Sequence, residues 1–329
     1  MAYLTKITGR FLILIALSFL AIFFLKFQIR SYGVDTRILG DKDKFRNKEG
    51  IILPASSFTS QLQECNMEEG LARGVHPLGY TFFTFDPRRD RFVSAGMIST
   101  RGLYDAHVHA ALDISLKIMK ADFRKCGAIL DVGSNLGTLA LYAGAVAQGC
   151  PVHAFEIQPA VACRLEMSIQ ASGFSHVKLH RAAVSSISGK SYSFRALPSN
   201  PGGVGLQGEV HEDETGRNIV KTVKLDDLFQ GEADIIFMKV DTEGHEFEVL
   251  KSAERLLKEH KIQNIVVEIR SQQAEMVEYM YANGYTCDLT KSAWRSKAKL
   301  SCKNSMEKVI SEIQRIPEGH FDDMFCCVT

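Results

Sequence analysis

The residues best suited to chemistry in this chain fall in three short segments: AILDVGSNLG at Ala128–Gly137, VHAFE ending at Glu156, and KVDTEGHEFEVL at Lys239–Leu250. In the first, Asp131 closes a short apolar run, and Gly133, Asn135 and Gly137 form a turn that opens a helix. Ligands of open α/β sheets bind at the carboxyl ends of the strands, where a glycine turn lets the backbone approach closely. Glu156 follows Gly137 by nineteen residues, at the end of the next strand, where a carboxylate can accept both hydroxyls of a ribose. The pair implies an adenosine-containing cofactor. A dinucleotide site wants G-x-G-x-x-G with a helix N-terminus facing the pyrophosphate. Here Asn135 stands at the middle glycine and Asp131 lies two residues ahead of the first. An acid at that turn repels pyrophosphate and suits the ammonium of a methionine moiety. S-adenosylmethionine is favoured as the cofactor, with an NAD(P)-dependent oxidoreductase as the alternative.

The third segment delivers Asp241 and Glu243 to the same sheet edge, with His245 beside them. Several acids at one edge repel one another unless a cationic or donor-rich ligand sits among them. Asp241, Glu243 and His245 are the candidate catalytic residues. A carboxylate of ordinary proton affinity is a weak base towards an alcohol, so positioning an acceptor hydroxyl is the main role expected of the two acids. His245 is a candidate base by type. Simpler roles exist: Asp131 as a cap of its turn, and Glu243 as an acid at a helix start. His107 and His109 in YDAHVHAAL are read as a packed or solvated pair, because two ligands do not make a metal site, and no metal is expected. The stretch from Pro198 to Arg217 reads as a lid over the acceptor or an exposed insertion.

Positioning these residues requires strands alternating with helices. The pattern predicts a helix from Leu112 to Phe123, strands Ala128–Val132, Val152–Glu156 and His176–His180, and helices from Leu136 to Gln148 and from Pro159. Strand Asp234–Val240, a helix over Glu246–Glu259, strand Asn264–Ile269 and a helix over Gln272–Asn283 follow. Such alternation implies a mostly parallel sheet with right-handed crossovers. The β-prone ends YTCDL and MFCCV suit a hairpin-like antiparallel finish, and YTFFTF at Tyr80–Phe85 an edge strand or docking segment.

A chain of 329 residues with 46% hydrophobic and 23% charged residues can bury a sizeable core. The formal net charge of +1 gives no chain-wide field for a polyanion, so nucleic acid is not an expected partner. The eight cysteines include no C-x-x-C pair. Cys126, Cys150 and Cys163 are read as buried thiols of the core. Disulfides among the remaining cysteines require a lumenal or extracellular domain. Phe11–Leu25 carries no charge and is bracketed by Lys6, Arg10, Lys26 and Arg30. It predicts an uncleaved single-pass anchor over residues 11–29 in the lipid bilayer, after a tail of residues 1–10. Residues 30–89 are read as a stem and N-terminal extension. Lys and Arg are in excess after the run, which favours a cytosolic catalytic domain, and the chain has no N-x-S/T sequon.

The motifs in order resemble the FkbM family of methyltransferases. The resemblance is carried by DVGSNLGTLALYA (Asp131–Ala143), AFEIQP (Ala154–Pro159), AAVS (Ala182–Ser185), SNPGGVGL (Ser199–Leu206), VKLDDL (Val223–Leu228), IFMKVDTEGHEFEVLKSA (Ile236–Ala253) and, upstream, ISTRGLYDAHV (Ile98–Val108). It covers roughly Asp90–Val328, and Ser134 stands where alanine is usual. It implies a class I methyltransferase (Rossmann-like) α/β domain over residues 90–329, with a mostly parallel seven-stranded sheet and an antiparallel C-terminal strand. It also implies methyl transfer from S-adenosylmethionine, commonly to oxygen, with a small molecule or glycan as acceptor. A catalytically silent, membrane-tethered binding module is the remaining alternative.

Overall fold

The computed structural model describes residues 70–121, 126–195, 201–210, 218–231, 234–270, 273–290, 300 and 302–328, all within the unit Ala55–Thr329. The expected tail, the anchor over residues 11–29, the stem up to residue 69 and half of the expected lid lie outside the described residues. Among the described residues, no helix is long and apolar enough to cross a membrane.

The chain starts with a hairpin of β1 (Ala72–Val75) and β2 (Thr81–Thr84), followed by α1 (Val93–Thr100) and α2 (Ala106–Ala121). The parallel core comprises β3 (Ala128–Val132), α3 (Thr138–Val146), β4 (Val152–Phe155), α4 (Pro159–Ala171) and β5 (Val177–His180). A smaller sheet follows, made of β6 (Ala183–Val184), β7 (Ser191–Phe194), β8 (Leu206–Val210) and β9 (Ile219–Val223). The chain then returns through α5 (Leu225–Leu228), β10 (Ile235–Val240), α6 (Glu246–Ser252), α7 (Glu254–Lys258), β11 (Asn264–Arg270), α8 (Ala274–Ala282), β12 (Tyr285–Leu289), α9 (Met306–Ile313) and β13 (Phe321–Val328).

The large sheet runs β12-β13-β11-β10-β3-β4-β5, with β13 antiparallel to both neighbours and the other pairings parallel. This is the α/β class I methyltransferase arrangement expected from the sequence. Strand order reverses between β3 and β10, and at such a switch point the loops diverge and open a crevice. β10 (IIFMKV) is buried along its whole length, and each of its apolar side chains contributes about 1.5–3 kcal/mol by leaving water. Apolar clusters cover the sheet on both faces: α2 and α3 pack on one, α6–α9 on the other.

Local chemistry explains where the elements depart from the expected bounds. The single helix predicted over Glu246–Glu259 is two, interrupted at Ala253, because the carboxylate of Asp226 accepts from the amides of Arg255 (3.0 Å) and Leu256 (3.1 Å) and so caps a second helix. The hairpin β1–β2 is part of the domain rather than a spacer. Ser168 on α4 accepts from the amide of Phe83 (2.9 Å), and the guanidinium of Arg164, fully buried, stacks 3.7 Å over the Phe85 ring and donates to the Gly70 carbonyl (2.8 Å).

The cysteine reading is corrected. Cys126 pairs with Cys150, Cys287 with Cys326 and Cys302 with Cys327, and Cys163 is also disulfide-bonded. Cys126 is exposed, so it is not a core thiol. Cys287 and Cys326 sit directly opposite on antiparallel neighbours, a pairing that requires the three-dimensional register of β12 on β13.

Candidate functional site

Register aligns the chemistry along one row. Phe155, Val132, Val240 and Val267 are mutual partners across β4, β3, β10 and β11. The residues one step further along the chain therefore stand level at the carboxyl edge: Glu156, Gly133, Asp241 and Glu268. On the far side Glu268 faces Asp323 of β13. With strands about 4.8 Å apart, Glu156 and Glu268 are roughly 14 Å from one another. A cavity of about 370 Å³ opens above this row.

Glu156, Gly133 and Asn135 line one half of the cavity. Gly133 adopts φ +79°, and a Cβ there would collide with the carbonyl oxygen of Asp241 across the switch point. Only glycine satisfies both demands. The Glu156 carboxylate accepts from the amides of Asn135 (2.9 Å) and Gln158 (2.8 Å). Burial pushes it up to about 7, against the pull of those amides. Its carboxylate keeps acceptor capacity for hydroxyl donors, and Ile157, Ala182 and Val204 supply an apolar wall beside it. A carboxylate for a ribose diol, a glycine cradle and a flat apolar wall fit the adenosine and amino-acid parts of S-adenosylmethionine.

Two residues assigned to the cofactor from sequence lie beneath the cavity. Asp131 is fully buried and its carboxylate caps α3 through the Ala140 amide (2.9 Å), while its second oxygen has no hydrogen-bond partner and faces the Lys239 ammonium at 4.0 Å. Burial raises it to about 6. The cap role weighed from sequence is the one observed. Gly137, at φ +85°, precedes the first turn of α3, where a Cβ would strike Leu165 on α4; its contribution is helix packing.

Asp241, Glu243 and His245 all line the second half, together with Tyr104, Asp105, Lys239, Glu268 and Arg270. Asp241 pairs with Lys239 at 3.1 Å. Burial would strip Lys239 of its proton, but Asp241, Asp131 and Asp105 outweigh it and hold the ammonium charged. Glu243, in the left-handed region at φ +57°, is ion-paired with Arg270. The helix-start role weighed for Glu243 belongs to Glu246, whose carboxylate accepts from the amides of Thr242 and Gly244, both at 2.9 Å. His245 Nε2 lies 3.0 Å from the Ser185 hydroxyl, and burial lowers its proton affinity. That weakens it as a proton acceptor.

Three further groups take part that the sequence reading did not single out. Lys239 is the internal counter-ion, and its signal was a lone charge inside an apolar strand. Glu268 is the same signal in NIVVEIR, with burial and then Asp241 raising it to about 8. Asp105 precedes α2 at φ +58° and is raised by burial. The two histidines part company. His107 bonds to Asp323 (2.5 Å), while His109 is buried, stacks on Tyr142 with ring centres 4.2 Å apart and faces the Thr138 carbonyl (3.0 Å). Among the described residues, no group of three or more His, Cys, Asp or Glu could hold a metal ion. Of the stretch expected as a lid, Gly202–Val204 and Leu206 form part of the cavity wall, tied down by Gln158, which donates to the Pro201 carbonyl.

Residues 131–287 match the model of the methyltransferase FkbM domain. No curated protein matches the sequence. Among solved structures, the METTL16 methyltransferase domain is similar at 9% identity and a TM-score of 0.42, over 83% of this chain and 90% of that one. The SAM-dependent methyltransferase from Agrobacterium tumefaciens is similar at 10% and 0.38, over 75% and 66%. Precorrin-6y C5,15-methyltransferase from Geobacter metallireducens is similar at 10% and 0.35, over 66% and 87%. Likeness at this level bears on neither acceptor nor site. Residues 131–287 are thus similar to a methyltransferase FkbM domain, and the methyl donor this implies is S-adenosylmethionine.

Proposed function

We propose that the protein methylates a hydroxyl oxygen of a small-molecule or glycan acceptor. The observation that carries this reading is the division of one cavity into a ribose-binding half around Glu156 and a half lined by Asp241, Glu243 and Glu268. Carboxylates accept hydrogen bonds and donate none when ionised, so they suit an acceptor rich in hydroxyl donors. Phe92 and Phe321, 59% and 48% exposed, stand at the same cavity and offer apolar faces to the C–H side of a sugar ring. When bound, the donor supplies an electrophilic methyl group. Asp241, fixed by Lys239, and Glu243, fixed by Arg270, hold the hydroxyl in line with it, which lowers the entropic part of the barrier. Incubating the full chain with methyl-labelled S-adenosylmethionine and separate panels of glycans, alcohols, amines and carboxylic acids tests the reading. Label recovered as an ether is the expected result, and label only on nitrogen or in an ester overturns it.

We also propose single-pass attachment through residues 11–29, on the strength of the apolar run and its basic flanks. The Lys and Arg count favours a cytosolic domain. The cysteines favour the other side: all seven described ones are disulfide-bonded, and such bonds persist in oxidising compartments. We place the domain on the oxidising side, where the donor has to be transported in. Protease digestion of sealed vesicles checks this. Protection until detergent is added is expected, and digestion without detergent restores the cytosolic placement.

A further inference from the structure

Four carboxyl groups crowd the acceptor half of the cavity, and they are not equivalent. Asp241 is committed to the Lys239 ammonium and Glu243 to the Arg270 guanidinium. Asp105 precedes α2 on a turn, away from the row of strand ends. Glu268 stands in that row, next to Asp241, on a central strand that is buried up to Arg270 and apolar at Ile265–Val267 and Ile269. Its side chain is 7% exposed, and it accepts from Arg270 Nη2 at 3.2 Å, a donor already shared with Glu243. It is a carboxyl group on an inner strand of the large sheet, opening into the cavity two strand spacings from Gly133.

We infer that Glu268 is the proton acceptor for the substrate hydroxyl, and that it becomes ionised when a sulfonium occupies the cavity. The inference rests on the methyl-transfer reading above. In the step it serves, the acceptor oxygen bonds to the methyl carbon as its proton passes to the Glu268 carboxylate. The carbon–sulfur bond breaks and its electron pair stays on sulfur. Without ligand, burial first, and then Asp241 on β10, Glu243 in the following turn and Glu246 at the start of α6, outweigh Arg270 on its own strand and keep Glu268 protonated near neutral pH, while Asp323 faces it from β13. Asp323 is itself held by His107, and Lys239 and Asp105 complete the ring of charges at this end. A cation within about 4–6 Å of a carboxyl group favours the ionised form. Glu268 is thereby armed only when the methyl donor is present, and it returns to the protonated state with the neutral thioether product.

Calorimetry needs no acceptor to test this. The full chain in detergent is titrated at pH 7.5 with S-adenosylmethionine and with S-adenosylhomocysteine, each in two buffers of different ionisation enthalpy. Both ligands engage Glu156, so the difference between them isolates the sulfonium charge. The expected result is that S-adenosylmethionine releases more protons, by up to about one per site, and that the excess disappears in Glu268→Gln while that variant still binds S-adenosylhomocysteine. Equal release by the two ligands in the wild type overturns the inference, as does an excess that survives in Glu268→Gln but is lost in Asp105→Asn. If neither ligand binds the folded wild type, the methyl-donor reading itself fails. Should Glu268→Gln not fold, Glu268→Asp carries the test: a shifted pH midpoint of the excess supports the assignment, and an unchanged midpoint overturns it.

Discussion

The two halves of the cavity hold their acids by different means. At Glu156 the carboxylate is gripped by backbone amides of the turn and of the start of α4, so its position is set by the course of the chain. At Asp241 and Glu243 the partners are side chains, Lys239 and Arg270. Main-chain amides cannot move without unfolding the turn, whereas charged side chains exchange partners when a ligand arrives. The cofactor half is thus a preformed mould, and the acceptor half a set of charge pairs that a substrate can rearrange.

The comparison breaks most sharply at Gly133. Gly133→Ala adds a left-handed strain and a collision with the Asp241 carbonyl, together about 2–6 kcal/mol, and cofactor binding is lost. A thermal melt with and without S-adenosylhomocysteine reads this as a lowered midpoint with no ligand-induced rise. Normal affinity would mean the turn is adaptable. Glu156→Ala comes next, at about 1.5–3 kcal/mol of cofactor affinity, because the charge-assisted bonds to the ribose hydroxyls are removed. Calorimetry on the folded variant checks it, and unchanged affinity removes Glu156 from the site.

Asp241→Asn probes the other half. It leaves Lys239 facing Asp131 at 4.0 Å and the acceptor poorly aligned, so turnover falls about 10–100-fold with a smaller change in cofactor affinity. Steady-state kinetics with the acceptor from the labelling panel separates the two. The smallest effect is on pH dependence. Glu156 is raised from 4.5 to about 7 and Asp131 from 3.8 to about 6 by burial, so the native state holds protons that the unfolded chain has released. The ligand-free protein therefore loses stability as pH rises from about 4 to about 7. Hydroxyl donors favour the Glu156 carboxylate, so cofactor affinity rises over the same window and flattens in Glu156→Gln. Melting midpoints and affinities across that range give both slopes, and a parallel fall of the two would contradict the mould.

The mould was the more legible half. Asp131, Gly133, Asn135 and Glu156 advertise themselves by spacing along the chain, because strand, turn and helix are local and the ribose acid comes at the end of the next strand. Even there spacing misassigned depth: Asp131 and Gly137 belong to the floor, which depends on how α3 and α4 pack. The acceptor half is assembled by register. That Glu268 stands level with Asp241 follows from β11 lying beside β10, and that Asp323 faces it follows from β13 entering antiparallel. No interval in the sequence contains either fact. The same holds for Cys126–Cys150 and Cys302–Cys327, and for the sheet β6-β9-β7-β8, whose strands pair out of chain order.

β13 carries Cys326 and Cys327 side by side, and neighbours on a strand point to opposite faces of a sheet. Its end is riveted from above and below. It is made after β11 and β12 and inserts between them. Synthesis therefore delivers the cofactor mould before the wall opposite Glu268, so the growing chain can hold a methyl donor's outline before it has a place for anything to be methylated. Oxidation of the two rivets then makes that insertion hard to reverse, a seal set only once β13 lies between its neighbours.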